Sequence, residues 1–304
     1  MPNFTLIVPV FSQPNFLAVT LRGLIRNSFY KNRIIVVWSD PAHQGQSLMS
    51  DFAVTPSGER YHKYSSVQDY IAQKGDWCRD NNIEFVDVTD KCDAFMREYK
   101  AGKIWKGSSV TPAPGLWQGG QDVAFKDNLG VEMTYTDYVM PNWDCDFYPS
   151  PNWDKIMVDL ASQTQRLRSI FVPVQIQPRE LDPFPNWKSM WKECRYINCS
   201  AYTIPIPLGQ ANNMTDEELE SFYGKWNSPS VHSERPGVRE YLHHFPVLYR
   251  TNELQNIIGP YNYQGAGYDL EIDNRCGELG FVKFTPFNAW CIHKAWIKLR
   301  PEDL

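Results

Sequence analysis

Two nearly continuous apolar runs open the chain, Phe4 to Phe11 (FTLIVPVF) and Arg33 to Trp38 (RIIVVW). A strand that is apolar on both faces belongs in a sheet covered on both sides, as parallel sheets are. Between them, Phe16 to Asn27 sets Leu17, Leu21, Leu24 and Ile25 at helical spacing. The three segments predict a β-α-β unit with parallel strands. The alternation continues with a helix over Ser66 to Asn81, a strand over Ile83 to Val88, a helix over Leu116 to Asn128 and a strand over Met133 to Met140. Ile156 to Arg168 predicts a helix and Ile170 to Ile176 a strand. Residues 41–64 are polar and predict a loop. Residues 101–115, rich in Gly, Ser and Pro, predict a mobile one.

Later in the chain, Thr215 with Glu218 forms a capping-box pattern opening a helix to about Trp226. Phe245 to Tyr249 predicts a short strand, and Asn252 to Ile258 a helix stopped by Gly259-Pro260. Tyr268 to Leu279 predicts a helix ended by Gly280, with strand-like pieces at Phe281 to Phe284 and Ala289 to His293. The pattern as a whole predicts an α/β fold: a mainly parallel, twisted sheet flanked by helices, with an irregular Pro-rich insertion at 177–244. Residues 1–150 and 151–304 read as two halves of one domain.

Composition narrows the function. With 304 residues and 42% hydrophobic content there is material for one large core. The net charge of −5 disfavours a nucleic-acid partner, and no run of 18 apolar residues predicts a membrane span. The start, MPNFTLIVPVF, lacks the pattern of a secretion signal, and the seven cysteines are scattered without a CxxC pair. A cytoplasmic protein with reduced thiols is expected.

In a parallel α/β sheet, ligands bind beyond the carboxyl ends of the strands. That directs attention to Ser12-Gln13, Ser39-Asp40, Val88-Thr89 and the stretch after Met140. There the chain reads PNWDCDFYPSP: Asp144 and Asp146 follow an apolar strand and precede a Pro-rich turn. Two carboxylates so placed can converge on Mg²⁺ or Mn²⁺, hard cations that take oxygen ligands and bridge to a diphosphate. Gly119-Gly120 offers either a close phosphate approach or a helix entry. Trp117, Trp143 and Trp153 offer either stacking faces or core packing. His243-His244 either face an acceptor or are structural.

The order of these motifs resembles the family-two type of glycosyltransferase with the GT-A fold. Leu6 to Val10, the polar turn Ser12 to Asn15, Ile34 to Asp40, Leu116 to Asp146, then Gly267-Tyr268-Asp269-Leu270-Glu271 with Arg275, Gly280 and His293 carry the likeness. It spans about residues 4–150 and 245–293. The resemblance implies a sugar transfer from a nucleoside-diphosphate sugar, a UDP-sugar first, to an acceptor hydroxyl. Pro9 and Phe11 would border the nucleobase, and Asp40 would meet the base or ribose. Asp144 would lie nearer the ribose, Asp146 would be the firmer metal ligand, and His293 would complete the metal shell. Asp269 would be the general base of an inverting transfer, with Glu271 the fallback. Ser39 stands where the family has a first acid, and Tyr268 where it has Glu.

Two further readings remain open. One is transfer onto a macromolecule, including modified bases in DNA, for which the basic and aromatic stretch Arg179 to Arg195 would hold the backbone. The other is a nucleotide-sugar-binding module without turnover.

Overall fold

The computed structural model describes residues 4–11, 13–39, 51–101, 119–143, 147–164, 168–178, 194–199, 202–204, 232–236, 246–262, 268–286, 289–293, 301 and 304. Strand β1 (Phe4–Phe11) is the axis of the first sheet. Helix α1 (Pro14–Asn27) follows, then β2 (Arg33–Ser39), parallel to β1 in the register Thr5↔Arg33 to Phe11↔Ser39. Both apolar runs are thus strands, and the β-α-β unit forms as the sequence predicts. Alternate residues of β1 supply two cores. Leu6, Val8 and Val10 pack with α1, while Ile7 packs on the other face with Ile35 and Val37.

Helix α1 starts with Pro at its first turn, but its own N-cap, Gln13, makes no side-chain capping bond. A distant residue does the work. Asp51 accepts from the backbone N–H of Asn15 at 3.1 Å and of Phe16 at 2.8 Å, satisfying two orphan donors. The fully buried Asn15 completes the clip by donating to Tyr64 O and accepting from Lys63 and Tyr64 N–H. The stretch expected to be only a loop therefore includes a clip and a small hairpin, β3 (Ala53–Val54) with β4 (Arg60–Tyr61).

Helix α2 (Val67–Asp80) is capped by Ser66, whose hydroxyl accepts from Asp69 N–H. It leads to β5 (Ile83–Asp87), parallel to β2. Helix α3 (Thr89–Lys100), unpredicted by periodicity, and helix α4 (Gly119–Glu132) follow. Strand β6 covers only Tyr138–Met140, shorter than expected, and pairs in parallel with β1 on the side away from β2. The chain reaches β7 (Phe147–Pro149) and α5 (Trp153–Gln163). The buried carboxylate of Asp154 in α5 accepts from Phe29 and Tyr30 N–H and from Asn32 Nδ2, tying this helix to the α1–β2 turn.

The expected strand Ile170 to Ile176 splits at Val172-Pro173 into β8 (Ser169–Phe171) and β9 (Val174–Pro178). Three described strands occur in the insertion: β10 (Cys194–Cys199), β11 (Tyr202–Ile204) and β12 (His232–Pro236). The expected helix at Thr215 and the loop at 101–115, apart from Ala101, lie outside the described residues. Strand β13 (Tyr249–Arg250) joins the first sheet antiparallel to β6. Helix α6 (Thr251–Glu253) runs into a π turn, Leu254–Ile258, closed by Gly259 at φ +83°. Helix α7 (Tyr268–Glu278), β14 (Val282–Pro286) and β15 (Trp290–His293) complete the order.

The first sheet runs β13-β6-β1-β2-β5, a second runs β11-β10-β9-β15-β7, and a third β12-β14-β8. The architecture is α/β with a mainly parallel sheet among mixed ones. No described helix is long and apolar enough to cross a membrane.

Candidate functional site

Strand order fixes where this sheet opens. The chain leaves β1 toward β2 on one side, while β6 arrives on the other. The carboxyl ends of β1 and β6 therefore form a topological switch point, where parallel sheets leave a crevice. Their ladder covers only Phe4↔Tyr138 to Leu6↔Met140. One further bond, Trp143 N–H to Ile7 O at 3.1 Å, ties the strands beyond it. Pro9, buried, lies past this paired portion, where its missing N–H costs no bond to β6. Phe11 ends β1 opposite Ser39.

Beneath this edge lies a buried polar cluster. Asp122 and Lys126, one turn apart on α4, form an ion pair with both side chains fully buried. Lys126 Nζ also donates to Val10 O at 2.6 Å. The Cys92 thiol donates to Asp122 Oδ1, and Ser39 bonds to Cys92. The neighbouring Asp127 accepts the backbone N–H of Asn142 at 2.8 Å. Asn142 is buried and left-handed at φ +59°, a conformation Asn tolerates better than most residues.

Burial, with the Asp122 charge second, pushes the Cys92 thiol up from 9.0 to about 12. The raised value favours the folded state below pH 9, and this contribution is lost as pH climbs from about 9 to about 12. Cys92 is accordingly expected to stay unmodified by iodoacetamide at pH 8 and to react only in denaturant. Peptide mass spectrometry reads this directly, and native-state labelling would contradict the buried cluster.

The residues expected at the site fall into three groups. Pro9 and the backbone of Phe11 lie at the switch point. Asp40, Asp144 and Asp146 lie outside the described residues, as do Trp117 and His243-His244. His293 ends β15 with its backbone paired to Phe147, the residue after Asp146. Asp269 is in the first turn of α7. The far end of that helix is tied to the amino-terminal edge of the sheet. Arg168 joins Leu279 O to Glu253, and Thr251 N–H donates to Asp137 O just before β6. Glu271 is engaged by Arg275, which bonds both carboxylate oxygens and donates to Ile258 O and Pro260 O at 2.8 Å. Among the described residues no group of three or more His, Cys, Asp and Glu is arranged to hold a metal.

Burial settles the alternative left open for two of the tryptophans. Trp143 and Trp153 are fully buried, with ring centroids 4.7 Å apart, and Trp153 packs edge-on against Phe4. They are core residues and offer no stacking face. Gly119 and Gly120 are the first residues of α4. Periodicity missed Lys126, Asp127 and Asn142. The polar run Lys126-Asp127-Asn128 reads as the solvent face of a helix, so spacing gives no signal that these residues turn inward.

No protein-family model and no curated protein matches the sequence. Solved structures do match the fold. GalNAc-T7, in a crystal structure with UDP, GalNAc and Mn²⁺, aligns with a TM-score of 0.51 at 10% identity, over 98% of this chain and 44% of that one. TarS 1-349 of S. aureus aligns at 0.49 and 10% identity, over 95% and 60%. The mannosyltransferase PcManGT from Pyrobaculum calidifontis, in complex with GDP-Man and Mn²⁺, aligns at 0.48 and 10% identity, over 97% and 59%. The chain spans between 36% and 60% of the length of the TarS, GalNAc-T7 and PcManGT structures it matches. The likeness to GalNAc-T7, at a TM-score of 0.51, shows a shared GT-A-type fold.

Proposed function

We propose that this chain is a metal-dependent glycosyltransferase that moves a sugar from a nucleoside-diphosphate sugar, UDP-linked first, to an acceptor hydroxyl. The observation that carries the reading is the switch point: β6 ends where it parts from β1, and the sequence that follows, past Trp143, reads Asp144-Cys145-Asp146. The GT-A fold supports it, as does the GalNAc-T7 structure of that fold, which binds UDP and Mn²⁺.

The donor set fits a divalent cation in its chemistry. Asp144 and Asp146 supply hard carboxylate oxygens and His293 a borderline nitrogen, a combination suited to Mn²⁺ or Mg²⁺. The β15–β7 register adds support, since it brings the backbone of His293 beside the residue after Asp146. When bound, the metal offsets charge on the departing diphosphate. In this reading Pro9, Phe11 and Asp40 border the nucleoside, and Asp144 also meets the ribose. Asp269 takes the proton of the acceptor hydroxyl as that oxygen bonds to the anomeric carbon and the carbon–diphosphate bond breaks on the opposite face. Glu271, with both oxygens committed to Arg275, serves to fix the start of this helix. The buried thiols of Cys78, Cys92, Cys276 and Cys291, none of them in a disulfide, fit a reducing, cytoplasmic setting.

Calorimetric titration with UDP, and then GDP, tests the donor site. Binding is expected with Mn²⁺ and not without it, and Asp146→Ala is expected to weaken it by about 100-fold or more. Absence of binding by either nucleotide with Mn²⁺ present would overturn the proposal.

A further inference from the structure

We propose that Lys126 and Asp127 form a clamp that sets the gap between the ends of β1 and β6, and so positions the carboxylates that follow β6. This rests on the donor-site reading above. The two residues are consecutive on α4, and consecutive side chains on a helix diverge by about 100°. Here the divergence is used on two strands. Lys126 Nζ donates to Val10 O near the end of β1, and Asp127 Oδ1 accepts from Asn142 N–H just past the end of β6.

Both side chains are fully buried, so neither bond competes with water. The clamp also has a fixed base. Gly130 lies so close to β1 that a Cβ there would stand 2.5 Å from Ile7 Cγ2. That contact holds α4 at one depth. The β1–β6 ladder has already ended at Leu6↔Met140, so among the described residues the clamp and the Trp143–Ile7 bond tie the chain past β6 to β1, whose own end is held by its ladder with β2. The Asp127 bond falls on Asn142, the left-handed residue two positions before Asp144. It holds the turn from which the D-x-D departs. Asp127 touches neither donor nor acceptor in this scheme; it is a positioning residue.

The test measures Mn²⁺ bound in the presence of UDP by electron paramagnetic resonance, alongside a thermal melt. Asp127→Ala is expected to bind Mn²⁺ about tenfold more weakly. Asp127→Asn keeps an acceptor oxygen in the same place and is expected to restore the affinity. A folded Asp127→Ala variant with the affinity of the unmodified protein overturns the clamp and leaves the donor site standing. If the unmodified protein binds no Mn²⁺ with UDP, the donor-site reading fails and the clamp's role with it. If Asp127→Ala does not fold, Asn142 carries the test. Asn142→Gly keeps the N–H and the left-handed turn, whereas Asn142→Ala keeps the N–H and penalises the turn. Weaker Mn²⁺ binding by Asn142→Ala than by Asn142→Gly supports the clamp, and equal binding overturns it.

Discussion

Replacing Lys126 with methionine is expected to lower the unfolding free energy by about 3–5 kcal/mol, because it leaves a buried carboxylate without its cation. Asp122 would retain the Cys92 thiol as partner and would have no route to water, since its side chain is fully covered. Val10 O would lose a donor as well, a cost of about 1–3 kcal/mol that contributes to the total. The double variant Asp122→Leu with Lys126→Met removes the stranded charge and fills the space with apolar atoms. It is expected to recover most of the loss, because a buried pair replaced as a unit by apolar residues costs little. Urea denaturation of the three proteins decides the matter. A double variant no more stable than the single one would mean that packing, and not the charge pair, sets the cost. The same change at Lys155 is expected to leave the urea midpoint almost unchanged. Its pair with Asp159 leaves both side chains about 40% exposed, so water already screens it.

That contrast also separates what the sequence discloses from what it withholds. Strands β1 and β2 were legible to within a residue because they are apolar on both faces, too short for a buried helix and rich in β-branched residues. Helices α1 and α7 were legible from spacing, and the stops at Gly259 and Gly280 from glycine, which both residues use at positive φ. Helix α3 was not, because among its described side chains only Cys92 and Phe95 are buried, amid charge. The strand expected from Met133 lost its first residues to a turn. Thr134 bonds back to Gly130 O and Thr136 to Tyr138 O, so residues with strand propensity serve a turn instead. The clip of Asp51 on α1 spans 35 residues and leaves no local trace.

The candidate site divides in the same way. Asp144 and Asp146 announce themselves locally, by strand, spacing and turn. Lys126 and Asp127 are polar residues on a helix, which periodicity assigns outward; only the strand ends they reach reveal why they face inward. The tryptophans err in the other direction. Trp143 and Trp153 flank the proposed metal carboxylates in sequence, yet they pack on each other in the core.

Exchange of Asp269 for asparagine is expected to lower the rate of sugar transfer by about 10²–10⁴-fold while leaving Mn²⁺-dependent UDP binding unchanged. A base acts only as the acceptor oxygen attacks, so its loss falls on turnover and not on the donor complex. Glu271→Gln supplies the comparison. Its carboxylate is held by Arg275, which also grips the carbonyls of Ile258 and Pro260, so its loss is expected to loosen the helix start and lower the melting temperature with a smaller effect on rate. Single-turnover transfer and donor titration on both variants distinguish the roles. If Asp269→Asn transfers sugar at the unmodified rate, the base lies elsewhere. If it loses donor binding together with transfer, Asp269 belongs to the donor site. Retained donor binding with transfer lost assigns it the acceptor's proton.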